Sequence, residues 1–212
     1  MKDFPMFTTE FGVASLTLCE IPYRGEAYII IQDTRQPEEL LAECISFCRI
    51  CGAEKIYARG HEIAEQYPLH CAVYEMCGVA CVDESKVESL WPVTEETVGG
   101  WRDFLNEKMR LVDNAVTLVK KGEQEILDSC GAYFVHRDGE LLGAGWLVRN
   151  ELLVVAAAKP GAGECVCHTL FSLIPNEEVK LDVVSTNERA IRLYERLGFL
   201  RTAEHRRWHK VF

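Results

Sequence analysis

Long apolar runs are missing from this sequence. Nothing in its 212 residues approaches the roughly 18 consecutive apolar positions of a membrane helix, so no spanning helix is expected. The opening Met1-Lys2-Asp3-Phe4-Pro5 has no apolar stretch of the secretory type, and a soluble, cytoplasmic protein is the expectation. Basic charge is scarce as well: Lys and Arg number 23 against 33 Asp and Glu, a formal net charge of −10. A face that neutralises phosphates along a nucleic acid is basic, so neither a nucleic-acid nor a membrane partner is expected. An acidic surface favours a cationic or amine-bearing partner instead. The ten cysteines of an unexported chain read as free thiols, and several fall in apolar periods where a thiol packs as a small hydrophobe. The Gly-Lys-Ser/Thr ending of a P-loop and the dinucleotide Gly-x-Gly-x-x-Gly are absent, and no Ser-His-Asp order stands out.

What is present divides into two parts. Residues 8–79 read as strands at 12–21 and 27–32 around the turn Tyr23-Arg24-Gly25-Glu26. A helix follows, opened by Pro37 and closed by Gly52, then a strand at 55–58 and a second helix within 61–76. Residues 80–93 are a polar connector, which places a domain boundary near position 90. Beyond it, Thr94-Glu95-Glu96-Thr97 reads as an acidic helix start, followed by Trp101, Phe104, Leu105, Lys108, Met109 and Val112 at helical spacing. A helical stretch at 123–127 leads to strands at 132–136, 141–148 and 152–158. Asp138-Gly139 joins the first two, a strong hairpin signal. Helices at 164–173 and 187–197 then alternate with strands at 179–184 and 201–212. This order predicts an α/β sandwich around a mixed sheet.

Two segments carry chemistry. Lys159-Pro160-Gly161-Ala162-Gly163 leaves a strand and opens a helix; glycines let backbone approach a ligand closely, and unpaired helix amides converge on an anion. Downstream, Leu181-Asp182-Val183-Val184-Ser185-Thr186-Asn187 leaves a strand through small polar residues that can cap a helix. Ala190, Leu193, Tyr194 and Leu197 share one face of that helix, and Gly198-Phe199 supplies its left-handed stop.

The stretch Asn187-Glu188-Arg189-Ala190-Ile191-Arg192-Leu193-Tyr194-Glu195-Arg196-Leu197-Gly198-Phe199 resembles the Asn-x-x-Ala-x-x-x-Tyr-x-x-x-Gly-Phe signature of GNAT (GCN5-related) N-acetyltransferases. The strand order, the hairpin and the glycine loop fit that family over residues 91–212. The resemblance implies a GNAT-like mixed sheet flanked by helices. It also implies acetyl-CoA, or another acyl-CoA, as co-substrate, no metal, and direct acyl transfer to an amine of a small molecule or peptide. The pantetheine arm would pair with backbone at Val154, Val155 and Ala156. The diphosphate would sit on amides of Gly161, Ala162, Gly163, Glu164 and Cys165, Asn187 would hold the arm, and Tyr194 would protonate the departing thiolate. A phenol with a pKa of about 10 suits a thiol leaving group of about 8.5 to 9.

Asp182 is the candidate base, because ribosomal-protein N-acetyltransferases of this family carry a glutamate in a similar Leu-Glu-Val strand. Aspartate is one methylene shorter, so it acts through a water or only positions the amine; Glu151 is a second choice. Two positions depart from the family. Ala158 stands where Gln or Arg usually opens the loop, with Lys159 beside it as a substitute cation, and Glu164 would repel a diphosphate unless it turns away or caps the helix. These departures leave a non-catalytic GNAT-like module as the alternative to an enzyme.

Residues 1–90 are expected to be a smaller α/β half-domain, a truncated repeat of the same design, since Tyr74-Glu75-Met76-Cys77-Gly78-Val79 echoes Tyr194 to Phe199. No glycine loop precedes the echo, because Asp33-Thr34-Arg35-Gln36-Pro37 takes its place. Cys44-x-x-x-Cys48-x-x-Cys51 has the spacing of the radical SAM cluster ligands, but with Leu41 and Ile45 it forms one face of a helix. Cys165, Cys167, His168, His205 and His209 match no tight zinc-ligand spacing. The purified protein should contain no iron and show no visible absorbance; an iron–sulfur band in its spectrum would overturn the helical reading of those cysteines.

Overall fold

The computed structural model describes residues 5–212; most of the opening segment Met1 to Pro5, expected to be no secretory signal, lies outside them. The chain opens with β1 (Met6–Thr9), β2 (Gly12–Thr17), the single turn α1 (Ile21–Arg24), β3 (Glu26–Thr34), α2 (Pro37–Ile50) and β4 (Lys55–Arg59). There follow α3 (Glu62–Glu65), β5 (Leu69–Val79), β6 (Ser89–Pro92), α4 (Val98–Met109) and α5 (Glu123–Asp128). The remainder is β7 (Ala132–Arg137), β8 (Glu140–Val148), β9 (Glu151–Ala157), α6 (Gly163–Phe171), β10 (Glu178–Val184), α7 (Glu188–Arg196) and β11 (Leu200–Lys210). Two compact units result, residues 1–72 with 205–212 and residues 73–204.

In the first unit β1, β2 and β3 pair antiparallel in sequence order, and β4 lies parallel to β3. The end of β11 pairs antiparallel with β4 through His209↔Ala58 and Lys210↔Tyr57. Pro37 starts α2, where its missing amide is not needed. Leu40, Leu41, Cys44 and Cys48 follow at helical spacing and bury against Ala27, Ile29, Ile31, Ile56 and Ala58 of the sheet. Burial pushes the Cys44 thiol up to about 11 and the Cys48 thiol up to about 12, so both stay protonated. Cys51 lies beyond the helix and is exposed. These three are therefore core and surface thiols, and no cluster of metal-ligating side chains occurs among the described residues.

The expected helix within 61–76 is instead one turn and a long strand. His61 Nδ1 accepts from the Ile63 amide at 3.2 Å to cap α3. Pro68 then forces its predecessor out of helical geometry, and β5 pairs antiparallel with β10 from Val73↔Val184 to Val79↔Glu178. Tyr74 thus stands in a strand, and its likeness to Tyr194 is one of letters only. The polar connector contains β6, an edge strand on β7 that tolerates Pro92 at its last position. Thr94 to Thr97 form a turn in which Thr97 Oγ1 accepts from the Thr94 amide at 2.9 Å, and α4 begins one residue later.

The second unit orders its sheet β5-β10-β9-β8-β7-β6, with the start of β11 outside β5. β7, β8 and β9 form an antiparallel meander, turned first by Asp138 and Gly139, both at positive φ as a tight hairpin requires. One face packs on α6 and α7 through Val166, Cys167, Leu170, Leu181, Val183 and Tyr194. The other packs on α4 and α5 through Trp101, Leu105, Ile126, Ala144 and Ala156, and Trp101 Nε1 donates to Tyr133 O at 3.1 Å. Helices cover both faces, so this unit has three layers. Helix α6 approaches β8 closely because two strand positions carry no side chain. A Cβ on Gly143 would stand 2.7 Å from Val166 Cγ2 and 2.4 Å from Ala156 O. Gly143→Ala is therefore expected to destabilise the protein by about 1–3 kcal/mol in urea unfolding, as overpacking does.

Candidate functional site

β9 and β10 run parallel but pair only at Lys180↔Glu151 and Leu181↔Leu152. The cause lies in β9 itself. Trp146 pairs with Val154 and Leu147 with Leu152, so Leu153 is an extra residue, a bulge that bends the strand. Past it β9 keeps β8 as a neighbour and loses β10. The Ala158 amide donates to Leu142 O at 2.8 Å. Alternation along an extended strand therefore commits the backbone groups of Val154 and Ala156 to β8 and turns those of Val155 and Ala157 into the gap. Of the three residues assigned to a pantetheine arm, Val155 has this orientation; Ala157, not singled out from sequence, is the second.

The open end of the gap is where β9 runs into α6. Gly161 turns the chain at φ 89°, and Ala162 is the N-cap. The first helical amide bond is Val166 N to Ala162 O at 3.0 Å, which leaves the amides of Gly163, Glu164 and Cys165 without intrahelical acceptors. Helix α7 lies against this turn, since a Cβ on Gly163 would sit 3.2 Å from Leu193 Cδ2.

Asn187 caps α7, its Oδ1 accepting from the Ala190 amide at 3.2 Å. The Nδ2 side of the amide is not used by the cap. Tyr194, two turns on, is 7% exposed, with its ring 6.0 Å from that of Phe199. Burial raises its pKa above the ordinary tyrosine range, so the phenol is protonated at neutral pH. Gly198 takes φ 88° to end the helix, and the Phe199 amide donates to Tyr194 O at 2.9 Å.

Asp182 is exposed and sits on the other face of β10, because Leu181 and Val183 on either side of it point into the cluster that holds Tyr194. Its register partner is Glu75 of β5, whose Oε1 accepts from Thr202 Oγ1 at 2.8 Å. Two carboxylates thus lie abreast on neighbouring strands, a like-charge pairing that favours a cation nearby. Glu151 starts β9 where the two strands are still paired, six residues and about 20 Å from the end of β9. That separation removes it from the open part of the gap.

The charges at the mouth depend on residues from distant parts of the chain. Glu164 Oε1 accepts from Lys86 Nζ at 2.6 Å, and this ammonium, with help from His168 and Arg196, holds the carboxyl below its ordinary range. The Glu164 charge at the helix start is thus matched by a cation that sequence reading did not single out. Lys159, expected to replace the family's loop cation, is bound by both carboxylate oxygens of Glu140 at 2.8 Å, an exposed pair that costs little to separate. Arg137 lies 3.5 Å from Cys165 Sγ and donates to Glu88 at 2.7 Å. Lys86, Arg137 and Arg196 were invisible in sequence because no local pattern ties them to the loop.

The second unit is thus a three-layer α/β architecture whose central sheet opens between two parallel strands, with free helix amides at the opening. Solved structures share this fold. The chain has the GNAT acetyltransferase fold: it is similar to a GCN5-related N-acetyltransferase from Anabaena variabilis ATCC 29413 (TM-score 0.59, 10% identity, 93% of this chain and 58% of that one). It is also similar to a GNAT-family acetyltransferase from Colwellia psychrerythraea (TM-score 0.51, 14% identity, 97% and 84%). A functionally unknown conserved protein from Staphylococcus epidermidis ATCC 12228 has the same arrangement (TM-score 0.60, 9% identity, 99% and 94%). In sequence, 100 residues are 29% identical to a mycothiol acetyltransferase from Acidimicrobium ferrooxidans, a match over 40% of this chain and about a third, 32%, of that protein. No protein-family model matches the chain. No helix among the described residues is long and apolar enough to cross a membrane.

Because Lys86 is the first cause of the depressed Glu164 pKa, Lys86→Met should return that carboxyl toward its ordinary range. A carbon-13 NMR titration of Glu164 reads this as an upward shift of the midpoint.

Proposed function

We propose that the protein is an acyl-CoA-dependent N-acyltransferase that moves an acyl group, acetyl in the simplest case, directly from coenzyme A to an amine. The observation that carries this reading is the early parting of β9 from β10 beside the free amides of α6. In this reading the backbone of Val155 and Ala157 takes the pantetheine arm, with Asn187 Nδ2 as a further donor. The amides of Gly161, Gly163, Glu164 and Cys165 take the diphosphate, with that of Ala162 held by Lys159 O at 3.3 Å, and the Lys159 side chain turns to it from Glu140.

The amine lone pair attacks the thioester carbonyl, whose developing oxyanion finds a backbone N–H in the gap. The C–S bond then breaks, and Tyr194, kept protonated by burial, gives its proton to the sulfur. The amine arrives most readily as an ammonium, which the carboxylates of Asp182 and Glu75 attract. Asp182 takes its proton, directly or through a water. Tyr194 and Asp182 lie on opposite faces of β10, so Asp182 reaches the amine most simply through a water.

In ancestry, residues 91–212 are a complete GNAT-like domain and 1–90 a truncated repeat. The repeat forms no second coenzyme site in this reading, because its parallel strands β3 and β4 stay paired from Glu26↔Lys55 to Ile30↔Arg59 and open no gap. A small-molecule or peptide amine is the acceptor class. The rival reading, a non-catalytic module that binds acyl-CoA, is favoured by Ala158 and by the Glu164 carboxylate at the helix start.

Calorimetric titration with acetyl-CoA followed by thiol release over a panel of amines separates the readings. Binding with release supports the enzyme, binding without release under every amine supports the module, and no binding sinks both. With an accepted amine, Tyr194→Phe should lower turnover by about 100-fold or more while leaving acetyl-CoA affinity nearly unchanged. Turnover within about twofold of the parent would remove tyrosine from the acid role. The raised pKa also sets the sign of the pH dependence: no alkaline loss of turnover from Tyr194 is expected below about pH 10.

A further inference from the structure

Helix α6 packs into the core of the second unit through Val166, Cys167, Leu170 and Phe171. Helical spacing turns His168 and Thr169 toward the opposite face. His168 is nonetheless only 7% exposed, and Thr169 is fully buried. The connector between β5 and β6 covers them. At one end of it the Ala80 amide donates to Glu177 O at 2.8 Å, and at the other the Glu88 amide donates to Thr169 Oγ1 at 3.0 Å. Between these ties the Asp83 amide donates to His168 Nδ1 at 3.3 Å, and a single turn at Glu84–Lys86 presents Lys86 to Glu164.

These contacts close into a ring. Lys86 Nζ reaches Asp83 Oδ2 at 3.3 Å as well as Glu164 Oε1 at 2.6 Å, and Glu164 Oε1 lies 3.9 Å from His168 Nε2. Because Nδ1 of His168 accepts from Asp83, a neutral ring carries its proton on Nε2, the atom that faces Glu164. His168 stands one turn further along α6 than Glu164. The carboxylate is therefore drawn down the side of the helix, away from the free amides of Gly163, Glu164 and Cys165. Each charge in the ring has a partner within it, so what the ring fixes is a position.

A carboxylate left unheld in the first turn of a helix does the opposite. The helix start is positive, and a glutamate there gains by turning to the unpaired amides. Glu164 would then occupy donors that the acyl-CoA reading gives to the diphosphate, and its charge would repel that group. We propose that Lys86, seated on α6 through His168 and Asp83, is a positioning residue that holds the Glu164 carboxylate off the helix start and so keeps the anion site open. What fills the site rests on the acyl-CoA reading; where the carboxylate lies does not. Helix amides are weaker partners than the ammonium at 2.6 Å, so on Lys86→Met the midpoint of Glu164 rises only part of the way.

Two measurements on the full chain test it. Nitrogen-15 NMR without coenzyme follows the amides of Gly163, Glu164 and Cys165 through the titration of Glu164. In Lys86→Met at least one of these protons should move downfield, further than in the parent, as the carboxylate ionises, and adding Glu164→Gln should abolish the movement. Calorimetry with acetyl-CoA reads the consequence. Lys86→Met should weaken binding about tenfold, the scale of one charged hydrogen bond, but by less than about twofold when Glu164→Gln is already present. Lys86→Gln serves the same purpose if the methionine variant fails to fold. An equal loss with and without Glu164→Gln makes Lys86 a direct ligand of the coenzyme and overturns the proposal, as does an affinity that Lys86→Met leaves unchanged. If the parent binds no acetyl-CoA, the acyl-CoA reading falls by itself. The amide protons then decide: downfield movement supports the holding role of Lys86, and its absence overturns it.

Discussion

An extended strand has two hydrogen-bonding edges, and past Leu152 the strand β9 uses only one of them in the sheet. Everything that makes the second unit a candidate site follows from that unused edge. The extra residue at Leu153 bends β9 away from β10, and the backbone groups of Val155 and Ala157 are left facing a gap. A flat ladder would have paired those groups and left no room for a ligand. The first unit is the internal comparison: β3 and β4 are also parallel, stay paired along the whole of β4, and form no opening.

The gap alone would be a water-filled slot; its ends give it chemical character. Helix α6 can start at the mouth because Gly161 turns the chain sharply, and it can lie close to the sheet because Gly143 carries no side chain. Its unpaired amides give the mouth a positive potential, which the Glu164 carboxylate would offset were it not matched by Lys86. Helix α7 closes the other side with its capped start at Asn187 and its buried phenol at Tyr194. Rigid backbone thus supplies most of the proposed recognition, and side chains tune it.

Legibility in the sequence followed range. The turn at Asp138-Gly139, the cap at Asn187 and the stop at Gly198-Phe199 are each encoded within a few residues, and each stands where the sequence placed it. The segment 61–76 misled because its composition suits a helix, while Pro68 and pairing with β10 draw it into a strand. The strand β6 was hidden in a polar connector, since an edge strand needs apolar residues on one side only. Leu153 gave no sign of being a bulge, because the extra residue exists only relative to the partner strand.

By itself, then, the sequence determined the local pieces: α7 with its apolar face and its stop, the meander of β7 to β9, and the glycine turn before α6. Tertiary structure alone decided which strand lies beside β10, that Asp182 stands across from Glu75, and that Lys86 answers the charge of Glu164. Periodicity, caps and turns are set by backbone sterics over one or two helical turns. Pairings between residues roughly a hundred positions apart arise only when the sheet closes, and no short pattern in the chain records them.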